Sequence, residues 1–391
     1  MPSRNVDAIV LGAGIVGVSA ALALQSRGRS VAIVDRLAGA AGETSYGNTG
    51  IVQNEAVIPY AFPRRLREIA LAALNRDPRA HLRYRALLAI APALWRYFEA
   101  SAPRRVNETA RAMAPFVAAA SAEHRKLAKE AGVGALLRET GWIQVFRTAR
   151  GEAARGGAHF TEPLTTLDPQ ALTQSYAALF VSRGGRIEQG DARSLALSGP
   201  DWTVATQSGA LAARQAVIAL GPWSGESVGS LGLRLPFFVK RGYHMHYEAK
   251  GNAGLNRPVL DLEKGYVVAP MARGLRLTTG AEFARRDDPP SAAHLNRLEP
   301  LGREMFPLGR RLDAGPWLGR RPCLPDMRPI LGPFPGRPGL WLDFGHHHLG
   351  LTLGPVSGRL LAEMMTGETP LVDPAPFRAD RFGQDGATPG D

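Results

Sequence analysis

One cysteine in 391 residues leaves no internal disulfide to form. Cys323 also has no companions at zinc-ligand spacing, so a disulfide-stapled scaffold and a structural zinc site are excluded, and a reducing compartment is the expected setting. No run of eighteen apolar residues exists to span a bilayer. Pro2, Ser3, Arg4 and Asn5 lead straight into a strand pattern, so no signal peptide is expected. Acidic residues are scarce relative to basic ones, 35 against 47, leaving a net charge of +12. That surplus favours anionic lipid, nucleic acid or acidic substrates, and no nucleic-acid recognition module accompanies it.

What is present supports a folded body. Hydrophobic residues make up 45% and charged residues 21%, which excludes a disordered chain, and the length suits two domains, consecutive or interleaved. The continuous apolar run Ala8-Ile9-Val10-Leu11 reads as a strand buried on both faces. Gly12-Ala13-Gly14-Ile15-Val16-Gly17 follows, then a helix to Gln25 stopped by Gly28, then a second strand Val31-Ala32-Ile33-Val34 ending in Asp35. Each glycine meets a geometric demand: Gly12 a tight turn, Gly14 close approach of backbone to a pyrophosphate, Gly17 close packing of helix on strand. The helix N-terminus then offers free N–H groups and partial positive charge to the phosphates. Asp35, eighteen residues after Gly17, is placed to accept from ribose hydroxyls. This unit predicts dinucleotide binding and leaves FAD and NAD open.

Helical stretches over 64–75, 81–100 and 106–131 read as an inserted cap, with arginines from Arg64 to Arg105 interleaved with Trp95 and Phe98. That pattern fits either a membrane-surface helix or an ordinary solvated face. Strand patterns return at 142–146, a helix at 169–180, and strands at 184–188, 202–206 and 216–220, where the nucleotide domain resumes. Alternating segments between Phe237 and Phe283 predict an antiparallel sheet, a last buried strand covers 340–344, a helix runs to about Thr366, and the tail beyond Pro376 reads as poorly ordered.

The later segments resemble the FAD-dependent D-amino-acid oxidase and dehydrogenase family, most closely the dehydrogenases. Glu43-Thr44-Ser45-Tyr46-Gly47-Asn48-Thr49-Gly50 looks like their flavin-contacting loop, and Ala219-Leu220-Gly221-Pro222-Trp223-Ser224 like the segment that closes over the diphosphate. Trp317-Leu318-Gly319-Arg320-Arg321-Pro322, Pro325-Asp326 and Pro329-Ile330-Leu331-Gly332 match a third family run. Gly345-His346-His347-His348-Leu349-Gly350-Leu351-Thr352-Leu353-Gly354-Pro355 resembles the closing flavin-binding turn. These motifs occur in family order and cover essentially the whole chain.

The resemblance implies a mixed α/β and α+β protein: a Rossmann-like, glutathione-reductase-type FAD domain interleaved with an antiparallel-sheet substrate domain carrying helices. The expected division is 1–54, 166–227 and 316–372 for FAD, 55–165 and 228–315 for the helical cap and substrate sheet, and 373–391 for a tail. It implies non-covalent FAD contacted by Gly12, Gly14, Ile15, Val16, Gly17, Asp35, Arg36, Thr44, Ser45, Asn48, Thr49, Gly50, Ala192, Gly221, Trp223, Gly345, His346, Leu349, Gly350, Leu351 and Thr352. No metal is expected, because adjacent histidines in a turn diverge and no carboxylate or thiol joins them.

In such enzymes an arginine fork grips the substrate carboxylate, and the matching position is Arg321. Tyr243, in Lys240-Arg241-Gly242-Tyr243 with one arginine more than the family motif, and Tyr266 are candidates to donate to the same carboxylate; each is equally readable as a packed aromatic. His348 is placed near the substrate, where an imidazole tunes selectivity. No obligatory catalytic side chain is implied: hydride passes from the α-carbon to flavin N5, and the imine product hydrolyses to a 2-oxo acid. The expected substrate is a D-amino acid or a related secondary amino acid, with electrons passed to a quinone or carrier; a cytoplasmic setting is expected, and the basic helices would suit docking on the inner face of the cell membrane. A glycine, sarcosine or opine oxidase using O2 remains open, as does a non-catalytic flavoprotein or a basic nucleic-acid-binding protein.

Overall fold

A computed structural model describes residues 4–148 and 158–383, and two sheets organise them. In the first, Ala8–Leu11 lies between Val31–Val34 and Gln215–Ile218, flanked in turn by Arg186–Gln189 and Leu340–Leu342, all parallel. Ile330–Pro333 adds an antiparallel edge. The long strands Arg186–Ser198 and Gly209–Ile218 run on beyond the parallel part and join Asp201–Thr206 in an antiparallel meander. Ala8 and Val10 pack on one face, Ile9 and Leu11 on the other, so the continuous apolar run is buried on both sides as expected.

One face carries the helices Ile15–Gln25, Pro169–Ser182 and Gly350–Thr366. The first and last cross at glycines. A Cβ on Gly354 would lie 2.9 Å from Ile15 Cγ1, and one on Gly358 would lie 2.5 Å from the Ser19 carbonyl carbon. Contacts advance in step, 354 on 15 and 358 on 19, so the helices run in the same direction with their N-termini at one end.

The second sheet is built round Phe238–Ala249, which pairs antiparallel with Gly274–Thr278, Ala281–Phe283, Leu308–Arg311 and Trp317–Cys323. Tyr266–Met271, Val259–Asp261, Trp142–Val145 and Ala158–Phe160 extend it. It is not wholly antiparallel: Val259–Asp261 with Ile143–Val145, and Ala281–Phe283 with Ala80–Leu82, pair in parallel. Alternation along Phe238–Ala249 sends Tyr243, Met245 and Tyr247 onto the helix Ala293–Met305, and leaves Lys240, Gly242 and His244 facing the first domain.

Three expectations are corrected. Trp317–Cys323 pairs antiparallel with Phe238–His244 in the second sheet, so the FAD domain resumes after Cys323 rather than at 316. The helices Pro103–Ala118 and Ala120–Glu130 do not belong to a cap: Met113, Phe116, Val117, Ala120 and Ala128 join the core beneath Gly350–Thr366. Beyond Pro376 the chain stays packed as far as described, with Phe377 on Phe116 at 5.0 Å between ring centroids and Arg381 on Asp326 at 2.8 Å. Residues 384–391 lie outside the described residues.

The glycine crossing predicts that Gly358→Leu destabilises the protein by about 1–3 kcal/mol, because a side chain there displaces backbone rather than a flexible neighbour. Gly134→Ala, where a Cβ meets nothing within 4 Å, stays within about 0.5 kcal/mol. Denaturant midpoints of the two variants check this, and equal midpoints would contradict it.

Candidate active site

Between the two sheets lies a cavity of about 2200 Å³, with Asp35, Gln189, Gly190 and Thr206 at one end, Gly12 to Val16 midway, and Arg321, His348 and Tyr60 at the other. Gly12 holds φ of 110°, where a Cβ would fall 2.4 Å from the Ala219 carbonyl oxygen. The first strand and Gly209–Ile218 therefore touch at the floor of the cavity only because position 12 is glycine. Gly17 lies against the Gly12 carbonyl, with room for no side chain.

Asp35 ends the second strand and accepts from the Ala13 N–H at 2.7 Å and the Leu37 N–H at 2.9 Å, one on each carboxylate oxygen. Each oxygen keeps a lone pair for a sugar hydroxyl. Beside it the Arg36 guanidinium lies 3.9 Å from the Trp223 ring centroid and is ion-paired to Glu43. Ala192 and Gly221 line the same end.

No side chain caps either Ile15–Gln25 or Gly350–Thr366 by the usual N-cap hydrogen bond, and neither has an acid in its first turn. Ser45 Oγ, from the loop across the cavity, accepts the Ile15 N–H at 3.0 Å. The two open N-termini face one space, which suits a molecule with one anionic group at a diphosphate and another electron-rich edge farther on.

The 43–50 loop is held from both sides. Thr44 Oγ1 donates to the Arg320 carbonyl at 3.0 Å, and Asn48 Oδ1 accepts the Gly50 N–H at 2.9 Å. Gly50 has φ of 74° and packs under the Thr166 carbonyl. Arg276 donates to the carbonyls of Tyr46 and Asn48, with His246 and then Asp313 behind it. Burial brings this guanidinium down to about 10. Arg276 escaped the sequence reading, since an arginine in an alternating strand carries no sign of the loop it will meet.

Gly345 and His347 turn the chain with positive φ, 83° and 56°, ahead of the helix. The histidines diverge: His346 Nε2 meets Ser357 Oγ at 3.0 Å, His348 lies 4.9 Å from the Tyr60 ring, and both nitrogens of His347 are buried without a partner. Burial pushes His346 down to about 3, and burial with the charges of Arg321 and Lys240 does the same to His348, so both are neutral imidazoles near neutral pH. Asp343 is driven the other way, up to about 8, by burial; Ser357 bonds one of its oxygens, and the other is buried without a partner on the cavity wall.

Of the cofactor residues read from sequence, Ile15, Val16, Asn48, Thr49, Gly345, His346, Gly350 and Leu351 line the cavity, with Gly12, Gly14, Asp35, Arg36, Thr44, Ser45 and Trp223. Gly17, Gly50, Leu349 and Thr352 do not line it and act from behind: the Thr352 hydroxyl donates to the Ile51 carbonyl at 3.3 Å and accepts the Gln53 N–H at 3.2 Å.

At the far end Arg321 donates to the carbonyls of Gly280 at 2.9 Å and Thr279 at 3.1 Å and meets no carboxylate among the described residues. Its register partner is Lys240; the next residue on that face, Gly242, leaves room, since a Cβ there would lie 2.6 Å from the guanidinium. The two tyrosines carry internal hydrogen bonds. Tyr243 is fully buried with its hydroxyl donating to Glu282 at 2.8 Å and accepting from Arg241 and the Ser291 N–H. Tyr266 donates to the Leu301 carbonyl at 2.8 Å and accepts from Arg147. Both residues border the cavity, and both hydroxyls are already committed to partners within the protein. The extra Arg241 is fully buried and ion-paired to Glu282 at 2.9 Å.

Fold and cavity define an oxidoreductase-type nucleotide fold with a long cofactor cleft closed by a substrate sheet. The chain belongs to the family described as DAO, FAD dependent oxidoreductase, whose model matches residues 7–364, and FAD is therefore its cofactor. It is 28% identical to a D-amino-acid oxidase of Bradyrhizobium diazoefficiens, covering 95% of this chain and 98% of the relative. It is 30% identical to a D-amino acid dehydrogenase of Paramagnetospirillum magneticum, covering 96% and 98%. Its fold is similar to that of a glycine oxidase from Geobacillus kaustophilus, with a TM-score of 0.70 at 20% identity over 97% of this chain and 99% of the other. NAD is thereby set aside. The cradle fits FAD: two helix N-termini with no acid in their first turns, the remaining lone pairs of Asp35 and the buried Asp343 carboxyl all border one cleft.

Asp343 yields a pH prediction. Its folded value lies above the unfolded one of about 4, so its stabilising contribution is full below that pH and is lost as pH rises through about 8. Asp343→Asn removes this dependence. The melting temperature of the variant relative to the parent therefore rises between about pH 5 and about pH 8, and parallel curves would contradict the assignment.

Proposed function

We propose that this protein oxidises D-amino acids, with Arg321 gripping the substrate carboxylate and the α-carbon presented to the flavin. The carrying observation is the Arg321 guanidinium, on the cavity wall, bonded to two backbone carbonyls and, among the described residues, ion-paired to no acid. A planar fork with carbonyls on one side presents its remaining donors to two carboxylate oxygens. FAD supplies the acceptor for the hydride of the α-carbon. The side chains orient: Arg321 fixes the carboxylate, Gly242 gives the guanidinium its space, and the neutral His348 borders the substrate without competing for its negative charge. The amine reacts unprotonated, and no side chain need act as base. The names of the full-length relatives support D-amino acids as the substrate class.

FAD is held without a covalent bond, in this reading. Cys323, the one thiol of the chain, is buried with Sγ 3.4 Å from the Arg321 carbonyl oxygen, and its thiol is held up by burial.

Electrons leave to a quinone or carrier at the inner face of the cell membrane. Among the described residues no helix is long and apolar enough to cross a membrane, so contact is peripheral. Leu66–Ala73 buries none of its residues, and Leu87–Ala100 buries only Tyr97. Leu66 at 85% and Leu88 at 93% exposure, with Ile58 and Trp95, stand among exposed Arg65, Arg67 and Arg85. Apolar side chains set among cations match an anionic lipid surface, and Ile58 to Arg65 also line the cavity mouth.

Arg321→Met keeps its flavin and loses at least about 100-fold in kcat/KM for amino-acid oxidation, from the lost charge-assisted pairing; parent-like turnover would overturn the assignment. For the docking surface, the protein sediments with vesicles containing anionic lipid at low salt, and Leu66→Glu with Leu88→Glu releases it. Protein that stays in the supernatant with those vesicles removes the membrane from the account.

A further inference from the structure

The cavity wall carries a second cation that amino-acid binding alone leaves without a task. Lys240 stands opposite Arg321 in the antiparallel register of Phe238–Ala249 and Trp317–Cys323, and both belong to the cavity lining. Directly opposed residues on one face of such a pair have Cβ atoms about 5 Å apart, so the two charges share one end of the cavity. Lys240 is 7% exposed, yet its ammonium meets no oxygen among the described residues. Its partners are the Tyr97 ring, 3.8 Å away, and Met327 Sδ, 3.7 Å away. The nearby acid Asp326 is committed to Arg328 and Arg381. Cys323, the thiol beside them, is kept protonated by burial.

A buried ammonium facing only sulfur and a ring is costly unless an anion arrives. Tyr97 is buried and ties the helical segment to the site through its hydroxyl on the Tyr60 carbonyl, so Lys240 has no open route to water on that side. One substrate carboxylate satisfies Arg321, and Lys240 then requires another. His348 lies within the field of both cations and, being neutral, cancels neither. Surface lysines with cation–π contacts are common, but they keep their ammonium in water.

We infer that the preferred substrate is a short amino acid with two carboxylates, such as D-aspartate, D-glutamate or an N-carboxyalkyl amino acid, with Arg321 taking one carboxylate and Lys240 the other. This deepens the reading of the site as an amino-acid oxidase site and rests on it.

The test uses the flavin-loaded protein in two arms. Non-reacting mono- and dicarboxylates, propionate against malonate and succinate, are titrated by the perturbation of the flavin spectrum. The dicarboxylates bind at least tenfold tighter, and this ratio collapses in Lys240→Met and returns in Lys240→Arg. In the second arm, D-aspartate or D-glutamate shows a KM at least tenfold below that of D-alanine or D-norvaline, and Lys240→Met removes the difference. Equal binding of mono- and dicarboxylates by the parent, or a ratio that survives Lys240→Met, overturns the inference. Oxidation of neutral D-amino acids with no dicarboxylate preference overturns it while the activity stands. A dicarboxylate preference with no amino acid oxidised supports the two-cation site and overturns the activity.

Discussion

The site depends on the crossing of two helices through glycine. Gly354 and Gly358 lie directly on Ile15, Ser19 and Ala20, and the absence of side chains at both positions lets the helices run side by side in one direction. Their N-termini therefore open together on the same cleft, one after the first strand and one after the last strand of the parallel sheet. Each terminus brings partial positive charge and N–H groups that no intrahelical carbonyl accepts, one of them held by Ser45, and no acid in either first turn neutralises them. A cofactor with a diphosphate in its middle and an electron-rich ring at one end answers both. Gly12 and Gly17 extend the same logic to the strand beneath, where backbone meets backbone with no Cβ between.

The substrate end is governed by strand parity. Phe238–Ala249 separates two environments: odd-numbered Tyr243, Met245 and Tyr247 pack on a helix, and even-numbered Lys240, Gly242 and His244 face the cleft. The neighbouring strand Trp317–Cys323 delivers Arg321 beside Lys240. Cations thus collect on one face while the polar groups of the other are satisfied internally, as in the fully buried Arg241 and Glu282 pair with the Tyr243 hydroxyl. The flavin loop is locked against this sheet by Arg276 and by Trp317, on which Gly47 rests.

The nucleotide half was readable because its demands are local. A turn with positive φ, a backbone contact and a strand-terminal acid each require particular residues within a short stretch, and Gly12, Gly17 and Asp35 stand where those demands fall. In the substrate half the motifs singled out Arg321 and two tyrosines without saying where each side chain would find its partners. Tyr243 lies three residues after Lys240, so alternation alone places them on opposite sides, and which side met the cofactor was not in the sequence. Pro103–Glu130 was misplaced for a related reason: amphipathic helices declare an apolar face without naming its partner, and here the partner is the C-terminal helix. The packed segment to Gly383 depends on Phe377 and Phe382 finding distant cores, which composition does not reveal. Lys240 stands out only in the folded protein, since a buried cation is recognisable only once its missing partner is seen.

The most direct test of the account is the visible spectrum of the purified protein under anaerobic conditions, before and after addition of D- and L-enantiomers of the same amino acids. The account predicts a bound flavin, released intact by denaturation, whose absorbance bleaches with D-amino acids and not with their L-enantiomers. A protein without flavin, or a flavin left oxidised by every D-amino acid tried, would contradict it.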